Sequence, residues 1–124
     1  MNTKSLLLTG LLAFTASTAL QAQEVKFNIL GAAEEPAAAA EIFGPQLELA
    51  RAYTHRLAKD SETFGLLGPR ELPRIWGRHV INSALLVELV PSGSKVADIG
   101  SGAGLPGLPM AIAKPDAHFT LIEP

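Results

Sequence analysis

The chain has 124 residues and a mass of 13.0 kDa, the size of one small domain. It contains no cysteine, which excludes a disulfide framework, a thiolate metal site and cysteine nucleophilic catalysis. A net charge of −2 excludes a uniformly basic nucleic-acid-coating protein, and His55, His79 and His118 lie too far apart for a local zinc motif.

Residues 1–23 read as a secretory signal. Lys4 supplies the positive start, and residues 5–23 are uncharged and leucine-rich. Ser17-Thr18-Ala19 and Ala22 are the cleavage candidates, although Leu20 is bulky for the third position before a cut at Ala22. The same run is close to the length that spans a bilayer. A third reading is a mis-started reading frame whose first residues belong to no domain. Residues 24–36 read as a linker, with Gly31, Glu34-Glu35 and Pro36.

Residues 37–91 read as a helical extension. Pro36 followed by four alanines predicts a helix start. Gly44-Pro45 interrupts the helix and restarts it. From Gln46 to Lys59 the pattern is helical, with Leu47, Ala50, Tyr53 or Thr54, and Leu57 on one packing face. Residues 60–69 predict a loop. Residues 70–90 predict a second long helix, with Val80, Ala84 and Val87 on one stripe and Ile81, Leu85 and Leu89 on its neighbour. Pro91-Ser92-Gly93-Ser94 ends it. Trp76 reads as a core residue, and His79 as a packed, hydrogen-bonded one.

Residues 92–124 spell strand (95–99), glycine turn (100–104), helix (106–113), turn and strand (117–122). Two strands joined through a helix must run parallel. The fold class is α/β, a βαβ unit of the kind that opens a doubly wound sheet. The chain then stops at Pro124, directly after a strand. A two-stranded parallel pair needs cover on both faces, so the expectation is an incomplete, truncated domain. At this length weak folding, poor cofactor affinity and no turnover are expected.

The chemistry sits in the run from Val96 to Gly107. Four glycines fall within eight residues, between a strand and a helix. They let the chain turn sharply and let a ligand approach the backbone, with free N–H groups at the helix start expected to face that ligand. Gly102-x-Gly104-x-x-Gly107, with Glu123 after the second strand, fits a dinucleotide fingerprint. Asp98-x-Gly100-x-Gly102-x-Gly104 fits S-adenosylmethionine instead. A carboxylate repels a pyrophosphate but suits a cationic amino-acid moiety. In that reading Asp98 faces or orients the methionine end and Glu123 accepts hydrogen bonds from ribose hydroxyls. Both ligand classes stay open on the residues alone.

The basic residues concentrate upstream. Between Arg51 and His79, Arg51, Arg56, Lys59, Arg70, Arg74 and Arg78 face Asp60, Glu62 and Glu71, six against three. Arg70, Arg74 and Arg78, spaced by four, form one stripe on a regular helix, able to meet RNA phosphates. Pro73 would leave Arg70 in the preceding loop. The competing reading is a solvated face with ordinary ion pairs, such as Arg74 with Glu71.

Two stretches carry a resemblance. Ile75-Trp76-Gly77-Arg78-His79-Val80-Ile81-Asn82-Ser83 and Val96 to Pro109, with its Leu-Pro-Gly-Leu-Pro ending, resemble the bacterial ribosomal RNA small subunit methyltransferase G family, also called glucose-inhibited division protein B. Ala113-Lys114-Pro115-Asp116 and Leu121-Ile122-Glu123-Pro124 continue it, so that it covers residues 37–124. The resemblance implies a Rossmann-like class I methyltransferase domain behind a helical extension. It implies S-adenosylmethionine as cofactor, over a nicotinamide or flavin dinucleotide. It implies methyl transfer to N7 of a guanine in small-subunit ribosomal RNA, by a cytoplasmic protein. A monomer that uses no metal and no membrane is the accompanying expectation. The cytoplasmic compartment conflicts with the signal-like start. By position in the motif, Gly100 and Leu105 contact the cofactor, Gly102 and Gly104 shape the loop, and Asp98 and Glu123 act as above. No acid or base catalyst is implied. A non-catalytic exported or tethered remnant, and a dinucleotide-binding oxidoreductase fragment, are the alternatives.

Overall fold

The computed structural model describes residues 34–124. The signal-like or membrane-spanning reading of residues 1–23, and the linker up to residue 33, lie outside the described residues. Among the described residues no helix is long and apolar enough to cross a membrane.

Helix α1, Ala38–Phe43, starts two residues after Pro36, whose carbonyl accepts the Ala39 N–H at 2.9 Å. Gly44, at φ +47°, and Pro45 make the expected break, a tight turn over Gly44–Gln46. Helix α2 then runs over Leu47–Phe64. The expected loop at 60–64 is instead its last turn. Two local bonds carry the helix through. The Ser61 hydroxyl donates to the Leu57 carbonyl at 2.6 Å, and Arg56 pairs with Asp60 at 2.6 Å. Gly65 ends it in the left-handed conformation, its N–H returning to Ser61 O at 2.9 Å. Arg51 forks onto Glu35 at 2.6 and 2.7 Å and also pairs with Glu48, fastening the chain ahead of α1 to α2.

Residues 72–89 form one helical rod, α3, with changing pitch. A tight turn over Leu72–Arg74 holds Pro73 at its start. Ile75–Ile81 is wound as a π-helix, Asn82–Ala84 as an α-helix and Leu85–Leu89 as a 3₁₀-helix. The i to i+5 bonding of the π stretch keeps Ile75 and Val80 on one side, and both are fully buried. The closing 3₁₀ turns change the angular step per residue. Leu85 and Leu89 therefore leave the core, Leu89 being 80% exposed, and the expected second apolar stripe ends at Ile81.

Strand β1, Lys95–Ile99, pairs in parallel with β2, His118–Ile122, from Lys95↔His118 to Ile99↔Ile122. Helix α4, Gly107–Ala113, joins them. The chain is thus α/β: helices followed by a two-stranded parallel sheet. Burial alternates along both strands. Val96, Asp98, Phe119 and Leu121 are half-buried, while Ile99 is 79% exposed on the other face. The core lies among the helices, around Phe43, Leu57, Ile75, Trp76 and Val80, and Ile112 of α4 closes it. Trp76 is a core residue, as expected.

Candidate functional site

The glycine turn leaves the C-terminal end of β1 and is held by three separate parts of the fold. The first is the neighbouring strand. Gly100 and Ser101 donate their N–H groups to the Ile122 carbonyl at 2.7 and 3.2 Å. Gly102 donates to Glu123 Oε2 at 2.7 Å. Glu123 follows β2 directly, so parallel pairing brings it beside a loop 21 residues earlier.

The second is the turn itself. Ser101 is buried, and its carbonyl accepts the Gly104 and Leu105 N–H groups at 2.8 and 3.1 Å. Gly100, Gly102 and Gly104 have φ of +77°, +51° and +87°, a region that costs a residue with a Cβ about 1–2 kcal/mol. The third is the helical extension. Ala103 and Leu105 pack against the helical core, and the Tyr53 hydroxyl donates to the Ala103 carbonyl at 3.1 Å. Burial pushes the Tyr53 phenol above its ordinary range, so it stays a proton donor.

Gly107 begins α4 at closest approach to the sheet. A Cβ there would lie 2.5 Å from Asp98 Oδ2 and 3.1 Å from Leu121 Cγ. Asp98 Oδ2 accepts the Gly107 N–H at 2.9 Å. The free helix-start N–H groups expected from the glycine pattern are therefore absent. Leu108 donates to Gly104 O at 2.7 Å and Met110 to Pro106 O at 3.2 Å. Pro106 and Pro109 have no N–H to offer. The helix start is spent internally and carries a carboxylate.

The turn brings six expected residues together: Asp98, Gly100, Gly102, Gly104, Leu105 and Glu123. Gly100, Gly102 and Glu123 are exposed, Asp98 and Leu105 half-buried, and Gly104 buried. Arg70, Arg74 and Arg78 are placed elsewhere, and among the described residues no hydrogen bond or ion pair joins them to the turn. They do not form one α-helical stripe. Arg70 lies in the turn before α3, Arg74 ends the opening turn and Arg78 lies in the π-helix. All three are exposed. Glu71 pairs with Arg78 at 3.2 Å and with His79 Nε2 at 2.9 Å, where Arg74 had been expected. The His79 hydrogen bond and the nearby arginine charges hold the Glu71 carboxyl below its ordinary range.

Tyr53 was legible only as a packing residue, because its acceptor lies 50 residues away. A depression of about 650 Å³ at the end of α2, lined by Ser61, Glu62, Leu67 and Leu72 among others, shares no residue with the glycine turn. Among the described residues no cluster of His, Asp or Glu could hold a metal ion.

The sequence has known relatives. Residues 46–124 match the family model described as rRNA small subunit methyltransferase G. A protein of that name from Mycolicibacterium gilvum is 60% identical over 89 residues, covering 72% of this chain and 39% of its own length. One from Pseudarthrobacter chlorophenolicus is 56% identical over 92 residues, 74% of this chain and 43% of the relative. One from Corynebacterium glutamicum is 58% identical over 89 residues, 72% and 40%. The chain spans about two fifths of the length of these relatives.

Proposed function

The chain belongs to the ribosomal RNA small subunit methyltransferase G family, and on that premise we propose that it carries the S-adenosylmethionine loop of a methyltransferase acting on N7 of a guanine in small-subunit ribosomal RNA. In this reading residues 37–91 are the helical extension, and residues 92–124 open a Rossmann-like domain of which the chain holds the first βαβ unit. The protein works in the cytoplasm, where its RNA is.

The observation that carries the ligand class is the start of α4. A dinucleotide pyrophosphate needs free N–H groups there. Gly107 and Leu108 have spent theirs, Pro109 has none, and Asp98 puts a negative charge at the same point. S-adenosylmethionine has no phosphate and carries cationic groups at its methionine end, which a carboxylate attracts. Asp98 faces that end. Gly100 and Leu105 flank the ligand, and Gly102 and Gly104 set the loop's shape. Glu123 gives one acceptor site to Gly102 and has others for ribose hydroxyls.

When bound, the cofactor supplies a methyl group already activated by the sulfonium. Guanine N7 has an exposed lone pair and needs no base to remove a proton. What remains for the protein is alignment of donor and acceptor. The exposed Arg70, Arg74 and Arg78 would hold RNA phosphates.

Amide NMR spectra of the chain during parallel titrations with S-adenosylhomocysteine and NAD test the assignment, because they register weak binding. Shifts at Gly100, Gly102 and Leu105 with the first ligand alone support it. Shifts at those amides with NAD alone overturn it.

A further inference from the structure

We infer that Tyr53 of the helical extension is a positioning residue for the glycine turn, acting through the Ala103 carbonyl. The inference rests on the reading above for its functional meaning. The anchor itself can be tested without ligand.

The turn's anchorage is asymmetric. On the strand side three hydrogen bonds hold it: Gly100 and Ser101 donate to the Ile122 carbonyl, and Gly102 donates to the Glu123 carboxylate. Those contacts fix its root. Its tip is Ala103, flanked by two left-handed glycines, Gly102 and Gly104. Glycine leaves its neighbours free to swivel, so Ala103 needs a hold of its own. The Tyr53 hydroxyl provides it at 3.1 Å, from a helix 50 residues earlier in the chain. The bond is part-buried, where losing the hydroxyl leaves the carbonyl oxygen without its donor. The ring also packs on the same helical core as Ala103 and Leu105. One side chain of α2 thus sets where the tip stands, which makes the extension one wall of the proposed cofactor site.

Hydrogen exchange in the ligand-free chain reads the anchor directly. Tyr53→Phe keeps the ring and removes only the hydroxyl. The Gly104 and Leu105 amides, which bond to Ser101 O, should then exchange about two- to tenfold faster, as expected for one hydrogen bond. Amides in the middle of α2 should not accelerate selectively. Thr54→Val is the control, since Thr54 donates to Ala50 O inside the same helix and makes no hydrogen bond to the turn. It should leave the ratio of turn to helix exchange as in the parent. Unchanged exchange at Gly104 and Leu105 in Tyr53→Phe, or equal acceleration in turn and helix, would overturn the inference. Where the parent binds S-adenosylhomocysteine, Tyr53→Phe should weaken binding by a similar factor, and Thr54→Val should not. Failure of the parent to bind it counts against the cofactor reading alone, and the exchange data still decide the anchor.

Discussion

Gly107→Ala isolates the close approach between α4 and the sheet. A Cβ at 2.5 Å from Asp98 Oδ2 and 3.1 Å from Asp98 Cβ and Leu121 Cγ cannot be accommodated in place. The carboxylate could swing aside, but that oxygen is the one accepting the Gly107 N–H. Either the helix backs off or the hydrogen bond breaks. Overpacking costs about 1–3 kcal/mol, and a hydrogen bond to a charged group about 1.5–3 kcal/mol. The two losses are alternatives in part, and alanine returns up to about 1 kcal/mol of helix propensity. The expected net loss is about 1–3 kcal/mol. Gly102→Ala is the comparison. Nothing lies within 4 Å of its Cβ position, so only its φ of +51° is penalised, at about 1–2 kcal/mol. Urea unfolding followed by the fluorescence of Trp76, the one tryptophan and a buried one, measures both. Sulfate in the buffer keeps the weaker variants folded at zero denaturant. In an Asp98→Ala background the 2.5 Å clash disappears, so Gly107→Ala should cost at least about 1 kcal/mol less there. Equal costs in the two backgrounds, within about 0.5 kcal/mol, would refute the proposed contact.

Three further outcomes are expected. Ile75→Ala removes a fully buried side chain and should cost about 2–5 kcal/mol, whereas Leu89→Ala, on an exposed residue, should stay within about 0.5 kcal/mol in the same unfolding assay. The Glu71 carboxyl is held below its ordinary 4.5 by His79 and the arginines, so its stabilising contribution is complete above that value and is lost as pH falls through the lower folded one. Glu71→Gln should therefore lower the melting midpoint at neutral pH and narrow its difference from the parent in acid, and a constant difference across pH would contradict this. If Arg70, Arg74 and Arg78 hold phosphates, replacing each by alanine should reduce the salt dependence of binding to small-subunit ribosomal RNA by about one counterion, a slope that filter binding at several ionic strengths measures.

Much of this chain could be read locally. Alternating strands of five residues, a proline-rich turn and helix, and glycines at fixed offsets announce a parallel βαβ unit, because each depends on the conformational limits of nearby residues. The three left-handed glycines of the turn, Gly100, Gly102 and Gly104, sit at positions the pattern singles out, and the Gly44-Pro45 break separates α1 from α2. The end of α2 was misplaced because Asp60 and Ser61 are loop formers by composition, yet here they bond within the helix.

Other features only the tertiary structure decided. Residues 72–89 carry an apolar pattern that fits one uniform helix, but Pro73 and the buried pair Ile75 and Val80 go with a winding whose pitch changes, and this scatters the arginines and exposes Leu85 and Leu89. The partner of each polar atom was equally nonlocal. Asp98 accepts the Gly107 N–H, Glu123 accepts the Gly102 N–H, and the Tyr53 hydroxyl donates to the Ala103 carbonyl. Periodicity records which side of an element faces inward, and its information ends within a few turns. A donor finds its acceptor only when distant segments have packed, and at the glycine turn that pairing determines which backbone groups are left for a ligand.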